Sequence, residues 1–310
     1  MVNKKLTVFL VIAVLLSILI SSNTAQARIY SYTLFDVPGA TTGTVAFGIN
    51  NAGTVVGMYG QSGYHGFIRT AGGSYTTIDV SGAPGTFIQG INANGRVVGS
   101  YGNWEVYTSG HGFIYDNGTY TFPFDVPSSF GTYPVGINRT GQIVGQYSQD
   151  GTMQGVRGFL WSDGGFTTLT APGYISTEPR GINDAGWIVG SYGDANSINH
   201  GFIRTPGGVF STFDVPGAKH TLISGINNHS WICGWYKNDD DIHHGFIYDG
   251  STFSYINVAG YSHTQVWGIN DDGKVAGAAF DDFKSNAHGF IATPKSSSCL
   301  GPVLQLLMSE

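Results

Sequence analysis

The sequence has little charge and almost no sulfur. Charged residues make up 11% of its 310 positions, and 14 Lys and Arg stand against 20 Asp and Glu, a formal charge of −6. That balance excludes a nucleic-acid partner, which needs a basic footprint. The chain has two cysteines, Cys233 and Cys299, too few for a thiolate metal cluster. Neither a Gly-x-Ser-x-Gly elbow nor a His-Glu-x-x-His run occurs, so two common hydrolase signatures are missing. After residue 30 no stretch sustains a helical period until the last ten residues, which excludes a helical bundle or a wound α/β sheet.

Long apolar runs are missing too, with one exception. Leu6 to Ile20 follows Lys4 and Lys5 and precedes the small residues Ala25-Gln26-Ala27. The run falls short of the ~20 residues of a membrane span. It reads as a secretory signal over residues 1–27, cleaved near Ala27. The expectation is an extracellular or periplasmic protein with no membrane span in the mature chain. Loss of Lys4 and Lys5 would carry the charge from −6 to −8. Export permits a disulfide. Cys233 and Cys299 could staple a tail, residues 295–310, to the fifth repeat, or remain one buried and one loose thiol.

What the chain has in abundance is glycine, 47 residues, and a repeat. Gly-Ile-Asn ends at Asn50, Asn92, Asn138, Asn183, Asn227 and Asn270. His-Gly-Phe begins at His65, His111, His200, His244 and His288, with Arg157 at the matching place in the third unit. Asp-Val-Pro-Gly-Ala or a relative begins at Asp36, Asp79, Asp125 and Asp214, and more weakly at Thr170 and Asn257. A fixed period of this length means a solenoid, propeller or array. Each unit reads as four short strands, for example "TFIQGIN", "RVVGSY", "HGFIYD" and "TYTFPFDV", rich in β-branched and aromatic residues.

The ends decide between the options. After residue 27 the chain opens on "YSYTLFDVPGA", a fourth strand without its first three. The last unit stops at "HGFIATP", a third strand without its fourth. Joining them completes a sixth unit, and closure removes exposed sheet edges. The sequence therefore predicts an all-β, six-bladed β-propeller of four-stranded blades over residues 28–294, closed by its N-terminal strand. A β-solenoid is the alternative.

The units "GINNAGTVVGMY…HGFIRTAGGSYTTIDVSGA" resemble the HAF-repeat family of extracellular bacterial proteins, with His-Gly-Phe where that family has His-Ala-Phe. The resemblance covers nearly all of residues 30–294. It implies export and a repeated β architecture, and it implies no activity and no catalytic residues.

A catalytic residue is needed once, whereas a histidine present in five of six units serves every unit. His65, His111, His200, His244 and His288 are therefore read as frame. Their partners are suggested by spacing. Asp79, Asp125 and Asp214 lie 14 residues beyond His65, His111 and His200, and ring closure would bring Asp36 to His288. The threonine six residues before each Gly-Ile-Asn asparagine reads as frame as well.

Function is then expected where the repeat is broken. The connector between the second and third strands varies in length, and loops on a rigid scaffold carry function. It holds Trp104, Glu105 and Tyr107 in the second unit, Trp235, Asp239, Asp240, Asp241 and His243 in the fifth, and Asp281 and Asp282 in the sixth. Asp239 to Asp241 are oxygen ligands of the kind Ca²⁺ takes, or else an ordinary solvated loop. A second variable set lies three residues before each asparagine: Phe47, Gln89, Val135, Arg180, Ser224 and Trp267. Glu178 shares the strand face of Arg180 and could pair with it or mark a polar pocket. Trp104, Tyr107, Glu178, Arg180, Trp235 and Trp267 are the candidate ligand contacts. The expected function is a non-enzymatic binding or scaffold module for a glycan or a cell-envelope protein. The alternative is a carbohydrate-active hydrolase or lyase working at the channel mouth.

Overall fold

A computed structural model of the chain describes residues 27–102, 109–152, 155–171, 176–281 and 286–295. The described residues form 24 strands in six four-stranded antiparallel sheets. The first strand, β1, is Tyr30–Phe35. Blade 1 is β2 (Thr44–Ile49), β3 (Val55–Gly60), β4 (Tyr64–Arg69) and β5 (Tyr75–Ile78), in that spatial order. Blades 2 to 5 repeat the pattern with β6–β9 (86–121), β10–β13 (131–169), β14–β17 (176–213) and β18–β21 (220–256). Blade 6 takes β22–β24 (263–294) and is completed on its outer edge by β1, as the two chain ends predict. The first strand of each blade packs against the first strand of the next, and β2 meets β22 (His263–Ile269), so the ring closes around a central channel. The solenoid is thereby excluded.

Each repeated residue has a place in this frame. The six phenylalanines of the His-Gly-Phe and Arg-Gly-Phe motifs, Phe67, Phe113, Phe159, Phe202, Phe246 and Phe290, are all fully buried and fill the blade cores. Each pairs across the sheet with a second-strand glycine, as Phe67 does with Gly57. A Cβ on Gly57 would stand 2.0 Å from the Val45 carbonyl oxygen and 2.8 Å from the Phe67 ring, so no other residue fits.

Gly-Ile-Asn builds the hub. A Cβ on Gly90 would lie 2.3 Å from the Val135 carbonyl oxygen of the next blade. Glycine thus lets the inner strands converge on the axis. The isoleucines line the channel's waist. The asparagines form a closed hydrogen-bonded ring. Asn50 Nδ2 donates to the Asn92 carbonyl (3.2 Å), Asn92 to Asn138 (3.0 Å), Asn138 to Asn183 (3.1 Å), Asn183 to Asn227 (3.2 Å), Asn227 to Asn270 (3.0 Å) and Asn270 back to Asn50 (3.1 Å). Their side-chain oxygens accept backbone N–H groups of the following turn, such as Thr54, Arg96 and Trp187.

The threonines hold the crossovers. Thr44, Thr86, Thr132, Thr177, Thr221 and Thr264 each accept a backbone N–H from the segment leading into their own blade. The histidines bracket the third and fourth strands. His65 Nδ1 lies 2.8 Å from Asp79, His111 2.7 Å from Asp125, His200 2.9 Å from Asp214 and His288 2.9 Å from Asp36 across the closure. In blade 5, with Asn257 in place of the aspartate, His244 turns its Nε2 toward Asp240 at 3.8 Å. Three of the rings stack on second-strand tyrosines, His65 on Tyr59 at 5.3 Å, His200 on Tyr192 at 5.3 Å and His244 on Tyr236 at 5.1 Å. The bracketed rings are part-exposed, so each bracket contributes modestly to stability.

Candidate functional site

The inner strand of every blade carries a β-bulge at one place. Register shifts fall between Ala46 and Gly48, Ile88 and Gly90, Pro134 and Gly136, Pro179 and Gly181, Ile223 and Gly225, and Val266 and Gly268. The residues left unpaired are Phe47, Gln89, Val135, Arg180, Ser224 and Trp267, the variable set three before each asparagine. A bulge re-aims a side chain, and here all six line the central channel. The strand direction places this ring on the side of the variable connectors, with the asparagine ring at the opposite mouth.

Above the waist the channel widens into a cavity of about 190 Å³ lined by Phe47, Gln89, Tyr133, Val135, Gln146, Arg180 and Trp267. Trp267 is its aromatic wall, meeting Phe47 edge-on at 5.4 Å, with the Arg180 guanidinium 5.4 Å from its ring. Arg180 donates through Nη2 to Glu178 at 3.0 Å, so the suspected pair forms, with Arg180 as its member on the channel wall. Three buried atoms on this wall, Gln89 Oε1, Arg180 Nε and Trp267 Nε1, have no hydrogen-bond partner among the described residues. A buried polar group left so costs about 1–3 kcal/mol.

Other candidates fall elsewhere. Trp235 is buried in β19 (Ile232–Lys237), behind Trp267 at 6.4 Å, and is not on the connector surface. It packs at a tilt on His243, ring centroids 4.3 Å apart, and His243 is 3% exposed. Gln265 Nε2 donates to His243 Nδ1 at 2.7 Å, and the His243 backbone N–H donates to His263 Nδ1 at 3.2 Å. Burial, and then the neighbouring His263, push the His243 pKa down to about 4.

The blade 5 carboxylates diverge. Asp239 lies 3.3 Å from Lys219, Asp240 faces His244, and Asp241 accepts from Lys237. Among the described residues no three metal-binding groups converge. Cys233 is fully buried and its thiol is pushed up to about 12 by that burial. Trp104, Glu105, Tyr107, Asp282, Cys299, the proposed signal up to residue 26 and the tail beyond Lys295 lie outside the described residues.

The sequence reading missed the second-strand wall. Gln146 and Ser100 follow the Gly145 and Gly99 of their second strands; Gln146 lines the cavity and Ser100 Oγ is another buried atom without a partner among the described residues. The signal was present, because the residue after that glycine varies among the units: Met58, Ser100, Gln146, Ser191, Trp235 and Ala278.

The fold has solved counterparts. The chain is similar to the SapL1 lectin in complex with alpha methyl fucoside (TM-score 0.54, 12% identity, 82% of this chain and 94% of that one). It is also similar to an Aleuria aurantia lectin variant in complex with Fucα1-6GlcNAc (0.51, 12%, 84% and 98%). A third is TolB from Acinetobacter baumannii (0.53, 14%, 83% of this chain), of whose length the chain spans 65%. At such identities the likeness is one of fold. No family model and no curated protein matches the chain.

Proposed function

We propose that this chain is a secreted, non-enzymatic binding propeller that takes the end of a glycan into the cavity framed by its six bulged residues. One observation carries the reading: the channel widens above its waist into a cavity whose wall combines the aromatic rings of Trp267, Phe47 and Tyr133 with a few polar side chains, Gln89, Gln146 and Arg180. Ligand sites have that make-up, mostly apolar with a few placed polar groups. The volume suits one small ring, since a water occupies about 30 Å³ of liquid and the cavity of about 190 Å³ would take roughly six. Two of the fold's counterparts are lectins solved with fucosides, which fits the reading. A glycosidase would need two carboxylates across the scissile bond. None of the described residues that line the cavity is a carboxylate, and Glu178, outside that lining, is held by Arg180.

The test is a glycan array probed with the chain and with Trp267→Ala. Binding to a restricted set of glycans is expected, weakened about tenfold or more by the variant, with both proteins unfolding cooperatively. Binding that the variant leaves unchanged would move the site to the connectors. A folded sample that binds no glycan would end the glycan reading.

A further inference from the structure

Resting on the glycan reading, we infer that the sugar taken into the cavity carries a carboxylate, as a uronic acid does, with Gln146, Gln89 and Arg180 as its hydrogen-bond donors. The atoms that matter are those open to solvent. Gln89 Oε1, Arg180 Nε and Trp267 Nε1 are sealed from it and lie beyond a ligand's reach. Gln146 differs from them. It lines the cavity, its amide makes no hydrogen bond among the described residues, and neither amide atom is sealed. Gln89 Nε2 and Arg180 Nη1 are also open and unbonded among the described residues, on side chains that line the same cavity. Gln89 and Gln146 are otherwise buried and the Arg180 side chain is 17% exposed, so their open atoms are the ones on the channel side.

This open set is one-sided. Gln89 Nε2, Gln146 Nε2 and Arg180 Nη1 can only donate, and against them stands a single acceptor, Gln146 Oε1. No carboxylate is among the described residues of the lining. Every hydroxyl of a neutral hexose brings a proton to place, and one buried without an acceptor costs binding. A carboxylate brings acceptors and no proton, which is what a donor-rich wall suits. Its bond to Arg180, the one ionic group on the described lining, is charge-assisted. Glu178 leaves room for it. It takes Nη2 and not Nη1, and it lies outside the lining with 30% of its side chain exposed, where water weakens its repulsion. Gln89, Gln146 and Arg180 come from blades 2 to 4. Trp267 and Phe47, from blades 6 and 1, supply the aromatic side for the C–H face of the sugar ring.

Calorimetric titration of the chain with the methyl glycosides of glucuronic and galacturonic acid tests this. It is run beside those of glucose, galactose, fucose and the two uronamides, which are neutral and of the same shape as the acids. At least one uronate is expected to bind about tenfold or more tighter than its parent hexose, its amide and the fucoside, the worth of one charge-assisted hydrogen bond. Gln146→Glu sets a carboxylate in the wall and is expected to erase that preference. Gln146→Leu removes the amide without adding charge and is expected to reduce it. Should Gln146→Glu fail to fold, the wild-type ranking and Gln146→Leu still decide. A hexose, an amide or the fucoside binding as tightly as both uronates, or a preference that the Gln146 variants leave intact, overturns this inference and leaves the glycan reading standing. Binding of none of the sugars by a folded sample overturns both.

Discussion

Deletion of Tyr30–Phe35 is expected to abolish the cooperative fold. These six residues pair with β24 (His288–Pro294) from Tyr30 opposite Pro294 to Phe35 opposite Gly289. They also cement two seams. Tyr30 is buried in a cluster with Ile247 and Ile256 of blade 5 and Val266 and Phe290 of blade 6. Phe35 is buried against blade 1, edge-on to Phe67 at 6.2 Å and under the Arg69 guanidinium at 4.8 Å. Burying each such side chain contributes about 1.5–3 kcal/mol, and each ladder hydrogen bond about 1 kcal/mol net. Together these approach the 5–15 kcal/mol that is the typical stability of a whole domain, about 5 at the low end. The deletion would also bare the long edge of β24 to other chains. Thermal unfolding followed by circular dichroism, with size-exclusion chromatography, should show loss of the transition and soluble aggregates. A monomer with an unchanged midpoint would mean that the N-terminal strand does not close the ring.

Acid should weaken the blade 5 to blade 6 seam well before the carboxylates protonate. His243 is neutral in the fold, with a pKa held near 4, against an ordinary 6.5 in the unfolded chain. Between those values the unfolded state binds the extra proton. Stability from this group is therefore complete above pH 6.5 and falls as pH drops toward 4. At about 1.36 kcal/mol per unit, the loss reaches roughly 3 kcal/mol. Charges around it include His263, Lys237 and His244, which disfavour the proton, and Asp241, which favours it. His220, also lowered by burial first and then by Lys237, acts in the same sense at the blade 4 to blade 5 seam, where its Nδ1 accepts the Asn199 N–H. His65 acts oppositely, since its hydrogen bond to Asp79 raises its pKa and favours the folded state in acid. Urea unfolding from pH 7 to 4 should show this slope, and His243→Gln, which keeps an acceptor for Gln265, should remove most of it. An unchanged slope in the variant would show that the loss comes from other groups.

Much of this frame was legible because the repeat is imperfect at its ends. An opening strand without partners and a final unit lacking its fourth strand specify closure without any knowledge of contacts. The His–Asp brackets were legible for a similar reason, since one spacing recurs in three units and wraps around in a fourth. The asparagine ring was not. Asn50 and Asn92 sit one period apart, so nothing in a one-dimensional repeat separates a residue that serves its own turn from one that also bonds its counterpart.

The site was half visible. Phe47, Gln89, Val135, Arg180, Ser224 and Trp267 stood out because they vary directly before the constant Gly-Ile-Asn. The bulge that turns them inward left no mark in the alternation of the strand. Trp235 looked like a connector residue because it precedes an acidic loop, yet it completes β19 and faces Trp267. His243 hid beside His244, a frame histidine, and only the doubling in "HHGF" hinted at a second role.

The central claim is that the bulged ring, on a closed hub, is where this protein binds its ligand. A crystal structure of the chain grown with the tightest-binding glycan from the array tests it most directly. The account predicts one sugar ring in the channel against Trp267, within hydrogen-bond distance of Gln89 and Arg180. A sugar held in an outer groove between blades or on the connectors, away from those three residues, would contradict it.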